Sequence, residues 1–80
     1  SRAEIACRKV KKGGVVELTL KSRVLARDVF VEVPLQGARF SDNFFDLLPG
    51  ETKRITVSSA DGSPLEDVSV VIHQLADVRE

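Results

Sequence analysis

Between positions 15 and 22 the chain reads VVELTLKS, and hydrophobic and polar residues alternate with a period of two. Val16, Leu18 and Leu20 fall on one side of that register and Glu17, Thr19 and Lys21 on the other. This predicts a strand with one buried and one wet face, the habit of an antiparallel sheet. The pattern recurs along the chain. Residues 3–10, AEIACRKV, set Ile5, Cys7 and Lys9 against Glu4, Ala6 and Arg8, a poorer alternation that suits an edge strand. Residues 28–33, DVFVEV, turn Val29, Val31 and Val33 inward and leave Phe30 and Glu32 facing out. An outward Phe30 among charges is expected to lie under the stem of Arg23 or Arg27 or, the favoured reading, under another domain. Residues 52–58, TKRITVS, turn Ile55 and Val57 inward. Residues 68–75, VSVVIHQL, predict a last strand with Val68, Val70 and Ile72 as its core set, and residues 76–80 are expected to fray.

Turn chemistry separates these runs. Gly13-Gly14 ends a basic cluster of Arg8, Lys9, Lys11 and Lys12, read as a solvated hairpin whose charges discourage edge-to-edge pairing. Pro34 closes a strand because it has no N–H to give a ladder. Residues 59–64, SADGSP, read as a polar loop.

The densest stretch is 38–51, ARFSDNFFDLLPGE, which holds three of the four phenylalanines. It predicts an extended lead-in, a polar corner at Ser41, Asp42 and Asn43, a short apolar strand over 44–48 and a turn. Asp42 and Asn43 are the residue types best able to bond neighbouring backbone groups. Leu48-Pro49-Gly50-Glu51 suits a type II turn, with Pro presetting φ at the second position and Gly supplying a positive φ at the third.

Six to seven short strands with no helical period predict an all-β fold, an immunoglobulin-like antiparallel β-sandwich forming one domain over residues 1–80. The paired cysteines and the buried Trp of antibody domains are missing. The expected core is Val16, Leu18, Leu20, Val29, Val31, Val33, Phe45, Leu47, Ile55, Val57, Val70 and Ile72.

Composition narrows the function classes. The 80 residues carry 12 Lys+Arg and 12 Asp+Glu, so the formal net charge is zero, which argues against nucleic acid or an anionic membrane as the main partner. The charge is unevenly placed: residues 1–27 hold eight basic and two acidic side chains, residues 28–80 four basic and ten acidic. Neighbouring strands from the two halves are expected to neutralise each other. One cysteine, Cys7, excludes an internal disulfide and leaves the compartment open. No apolar run reaches the roughly 18 residues of a transmembrane helix, and no targeting pattern is present. The lack of any methionine leads us to expect a piece excised from a larger multidomain protein.

Candidate chemistry is sparse. His73, the single histidine, has no second histidine with which to build a zinc site. Asp42 and Asp46 are four apart, but Phe44 and Phe45 sit where a calcium loop would alternate oxygens. Glu51, Glu66 and Asp67 read as turn residues. No cofactor or metal is expected. Sugar-binding sandwiches favour Trp and Tyr, and this chain has neither.

The central stretch resembles a known family. FSDNFFDLLPGE, at 40–51, is similar to the corner of the C-terminal sandwich domain of β-mannosidases, members of glycoside hydrolase family 2. LARDVFVEV (25–33) resembles that domain's lead-in strand, and PGETKRITV (49–57) its Pro-Gly turn and following strand. The resemblance is specific over 25–57 and weak over 1–14 and 60–80. Phe40, Ser41, Asp42, Asn43, Phe44, Phe45, Asp46, Pro49, Gly50 and Glu51 are its structural signature, the Ser-Asp-Asn-Phe-Phe-Asp run being the specific part.

The resemblance implies a parent that is a multidomain retaining exo-hydrolase, removing non-reducing β-D-mannose, with its catalytic glutamates on an upstream (β/α)8 barrel. This chain would then be a non-catalytic accessory domain packing on the other domains, and strand parity, not the resemblance, offers Phe30 and Phe44 as the interdomain contacts. Two other readings stand beside it: an autonomous carbohydrate- or protein-binding module, and a spacer from a multidomain surface protein. The excised domain is also expected to self-associate through uncovered apolar surface.

Overall fold

The computed structural model describes residues 3–77. The alternating runs become seven strands: β1 (Ile5–Lys12), β2 (Val15–Ser22), β3 (Ala26–Glu32), β4 (Ala38–Phe40), β5 (Phe45–Leu47), β6 (Thr52–Ser59) and β7 (Val71–His73). A single 3-10 turn, Leu75–Asp77, follows, and no α-helix occurs among the described residues. Two antiparallel sheets form, one ordered β1-β2-β6-β4 and the other β5-β3-β7. This is the two-layer immunoglobulin-like sandwich that the pattern predicts.

The β1–β2 hairpin is a two-residue connection, Lys12 pairing with Val15 across Gly13 (φ +54) and Gly14 (φ +89). Two successive positive φ values are what a type I′ turn demands, and glycine adopts them without steric penalty. The core lies between the sheets. Val16, Leu18 and Leu20 of β2 and Ile55 and Val57 of β6 meet Val29 and Val31 of β3 and Leu47 of β5, all buried. Each such side chain contributes roughly 1.5–3 kcal/mol of burial.

Nine of the twelve expected core residues are buried, while Phe45, Val70 and Ile72 are half-buried and pack against the cluster. Ala3, Ala26 and Leu65 complete it. Ala26 escapes an alternation argument because β3 carries a bulge: the register against β5 shifts between Ala26 and Val29, and Asp28 adopts φ +50. The extra residue lets two positions three apart both face inward.

The last strand is shorter than the 68–75 expected. In the β3–β7 ladder Phe30 pairs with His73, Val31 with Ile72 and Glu32 with Val71. Continued in that register, Ser69 would face Pro34, which has no N–H to offer. Residues 63–70 therefore run as an irregular strap across the side of the sandwich. They are held by Leu65, buried, whose N–H donates to the Gly14 carbonyl at 2.8 Å, and by lysines of β1.

Those lysines sit at inward positions. Cys7, Lys9 and Lys11 pair with Leu20, Leu18 and Val16, the core residues of β2, and so share their face. Lys9 Nζ donates to the Val68 carbonyl at 2.7 Å and meets Asp67 at 2.8 Å, and Lys11 meets Glu66 at 2.9 Å. Inward charge on an edge strand is a known guard against edge-to-edge pairing. Here two basic side chains of the first half meet acids of the second, on the strap rather than on a neighbouring strand. The expected strand over 44–48 is trimmed to Phe45–Leu47. Of the tail expected to fray, 78–80 lie outside the described residues.

Candidate functional site

β4 and β5 are two halves of one passage of chain. β4 pairs with β6 in the first sheet and β5 with β3 in the second, so the chain changes sheet between residues 40 and 45. Each polar residue of the run Ser41-Asp42-Asn43-Phe44-Phe45-Asp46 ties that change down.

Ser41 closes the first-sheet side: its N–H donates to the Thr56 carbonyl at 2.9 Å, and its hydroxyl oxygen accepts the Thr56 N–H at 2.9 Å. Asn43 closes the second-sheet side. Its Oδ1 accepts the Val31 N–H at 2.8 Å and its Nδ2 donates to the Val31 carbonyl at 3.1 Å, so a side-chain amide fills the place of a partner strand. Asp42 accepts the Asn43 N–H at 2.8 Å and meets Lys53 Nζ at 2.6 Å. The hydrogen bond from Lys53, seconded by that from the Asn43 backbone, holds the Asp42 carboxyl below its ordinary range. Asp46 accepts the Asp28 N–H at 3.0 Å and so satisfies the bulge of β3. Both aspartates considered as calcium ligands are thus occupied by protein groups, and no cluster of three or more potential metal ligands occurs among the described residues.

The turn closing this stretch has the geometry of its sequence. The Glu51 N–H donates to the Leu48 carbonyl at 3.0 Å, Gly50 sits at φ +78, and Glu51 Oε1 accepts the Leu48 N–H at 2.9 Å. Phe40 and Phe45 turn toward the core as half-buried residues, and Phe45 also lies under Lys53, 5.1 Å from its ring centroid.

Phe44 is different. It adopts φ +58, a left-handed conformation that costs an L-residue roughly 1–2 kcal/mol. It is also 72% exposed. Its ring stacks on Phe30 with centroids 5.0 Å apart, and Phe30 stacks in turn on His73 at 4.5 Å. Three rings therefore form a row across the outer face of β5-β3-β7. His73 Nε2 lies 2.9 Å from Glu32 Oε1, which fixes the end of the row. Phe30 thus has partial cover from within the chain, given by Phe44 and His73, which neither of the two expected covers (an Arg23 or Arg27 stem, or the favoured neighbouring domain) included. The sequence reading missed His73 as a member of the row. The signal was available only through the β3–β7 register, which sets Phe30 and His73 side by side on the outward face.

Cys7 shows no sign of nucleophile activation. Partial burial pushes its thiol above the ordinary range despite Lys9 nearby, which leaves little thiolate at neutral pH.

Comparison with known proteins agrees with this geometry. No curated protein matches the chain significantly. A family model described as an Ig-fold domain, Ig_mannosidase, matches residues 1–78. The match spans the sheet-changing corner, the aromatic row and the weakly similar ends alike, and the chain belongs to this mannosidase-associated family of Ig-fold domains.

Proposed function

We propose that this chain is a non-catalytic accessory domain of a β-mannosidase-like retaining glycoside hydrolase, supporting the enzyme by packing on its other domains. Membership of a mannosidase-associated Ig-fold family supports the parentage. The observation that carries the packing role is Phe44, held in a strained backbone conformation with its ring 72% exposed. Stacking on Phe30 returns about 0.5–1.5 kcal/mol beyond area burial, of the same order as the left-handed backbone costs. The isolated fold therefore gains little net from a phenyl group there, whereas a neighbour that covers it gains a large apolar anchor.

The contact consists of Phe44 and Phe30, with His73 extending the row. Phe44→Asp tests the reading when introduced both into the 80-residue chain and into the longer protein that contains it. The melting temperature is expected to fall clearly in the longer protein and little in the 80-residue chain. An unchanged longer protein contradicts the reading. Titration of the 80-residue chain with manno-oligosaccharides is expected to give no saturable heat; saturable heat would favour an autonomous carbohydrate-binding module instead.

A further inference from the structure

The opposite outer face has a different chemistry. Side chains that alternate away from the core in the first sheet line up in rows set by its registers: Ala6, Lys21 and Thr52; Arg8, Thr19 and Arg54; Val10, Glu17 and Thr56. Lys12 and Val15 follow at the hairpin end of β1 and β2, and Arg39 pairs with Ser58 across β4 and β6. This face holds Arg8, Lys12, Lys21, Arg39 and Arg54 against one acid within the ladder, Glu17, and that acid is already taken by Lys12 at 3.2 Å. Glu4 lies just beyond the ladder, at the Lys21 end. Arg8, Lys21, Arg39 and Arg54 make no ion pair among the described residues.

A chain of zero net charge thus concentrates unpaired cations on one sheet face. Its acids are placed elsewhere: Glu66 and Asp67 on the strap, Asp28, Glu32 and Asp46 on the strands of the second sheet. At the β4 end the face runs into a cleft of about 330 Å³ with a mixed polar and apolar lining that includes Val15, Arg39, Ser58, Ser63 and Pro64. Asp61 is not among the lining residues and is itself occupied. It accepts from the Ser59 and Ser63 hydroxyls at 2.5 and 2.6 Å and from the Ser63 N–H at 2.9 Å.

We propose that the outer face of β1-β2-β6-β4 docks a carboxylate-rich polypeptide surface, with one acidic side chain of the partner entering the cleft beside Arg39. Arg8 and Arg54 stand two strand spacings apart, about 10 Å, and Thr19 separates them. Exposed Val10 lies one row on. Separated arginines mixed with apolar side chains make the kind of surface found at protein interfaces. Arginine's planar fork also matches a carboxylate in two-point contact. The proposal stands apart from the aromatic row, which lies on the other sheet.

The test is a titration of the isotope-labelled 80-residue chain with poly-L-glutamate, followed by amide NMR, with heparin as a parallel arm. Saturable binding is expected, with shifts centred on Thr19, Thr56 and Ser58. It should weaken about tenfold or more in the Arg8→Glu/Arg54→Glu variant. Arg27→Glu, a charge change on the second sheet, should leave it unaltered. Arg39→Ala is expected to weaken binding with the fold intact, and serves if the double variant does not fold. Absence of binding, shifts spread evenly over the surface, or equal loss in Arg27→Glu each overturn the proposal. Binding of heparin on this face without binding of poly-glutamate overturns it too, since a sulfated polyanion would then be the ligand.

Discussion

Five connections carry the chain between the sheets, and two of them are fastened in different ways. The corner at residues 41–44, between β4 and β5, is held chiefly by uncharged groups bonding backbone on both sides, Ser41 to Thr56 of β6 and Asn43 to Val31 of β3, with the Asp42–Lys53 ion pair beside them. The strap at residues 63–70, between β6 and β7, is held by one buried leucine, by two hydrogen bonds to backbone (Leu65 N–H to the Gly14 carbonyl and Lys9 to the Val68 carbonyl) and by lysines reaching exposed carboxylates. Hydrogen bonds to backbone are directional and little affected by salt. Exposed ion pairs are screened and individually weak. The corner fixes the geometry that presents Phe44, while the strap closes a side, so the larger share of side-chain bonds to backbone lies beside the candidate contact.

Asn43→Ala breaks this comparison most severely. It removes both bonds to Val31 and is expected to cost about 2–3 kcal/mol in chemical unfolding, at roughly 0.5–1.5 kcal/mol per bond plus the penalty for unpaired backbone groups. Asn43→Asp, which keeps an acceptor and loses the donor to the Val31 carbonyl, should fall between. If Asn43→Ala melts like the parent chain, the Asn43 bonds are not a main fastening of the corner.

On the strap, Lys9→Met with Lys11→Met is expected to accelerate amide hydrogen exchange of residues 66–70 and to leave β2 and β6 unaltered. Raising salt from about 50 to 500 mM should act in the same direction on the unmodified chain. Exchange that accelerates equally over the corner would erase the distinction.

Acid sharpens it further. Asp42, Asp61 and Asp67 are all held below the ordinary carboxylate range: Asp42 and Asp67 chiefly by hydrogen bonds from Lys53 and Lys9, Asp61 by the hydroxyls of Ser59 and Ser63. A carboxyl with a depressed folded-state pKa adds stability above its unfolded value, near 3.9. That stability disappears as pH falls through the folded pKa. Stability should therefore be flat near neutrality and fall as pH drops below about 4. Asp61→Asn should reduce that fall, as followed by thermal melts across pH.

The smallest effect expected is the most informative about Phe44. Phe44→Asn relieves the left-handed backbone, which Asn tolerates, and gives up the stack on Phe30. The two changes oppose each other, so the 80-residue chain should change by less than about 1 kcal/mol.

Much of the fold was legible because β2, β3 and β6 alternate cleanly over a two-sided sheet, and Pro49-Gly50 can make few turns. Less was legible wherever a local irregularity reset the parity. The bulge at Asp28 hid Ala26, and Pro34 shortened β7 from the other side of a ladder that sequence alone does not align. At the candidate site, Phe30 and Phe44 followed from parity. The pairing of Asn43 with Val31 and the joining of His73 to the row depend on contacts 12 and 43 residues apart, visible only once the sheets are assembled.

Radical footprinting of Phe44 and Phe30 reaches the central claim most directly. The 80-residue chain and the longer protein of which the proposal makes it a domain are labelled side by side. The account predicts strong labelling of Phe44 in the 80-residue chain and marked protection in the longer protein, with Thr19 and Thr56 serving as comparison sites on the other face. Equal labelling of Phe44 in both would contradict it, because the strained and exposed ring would then meet no neighbour.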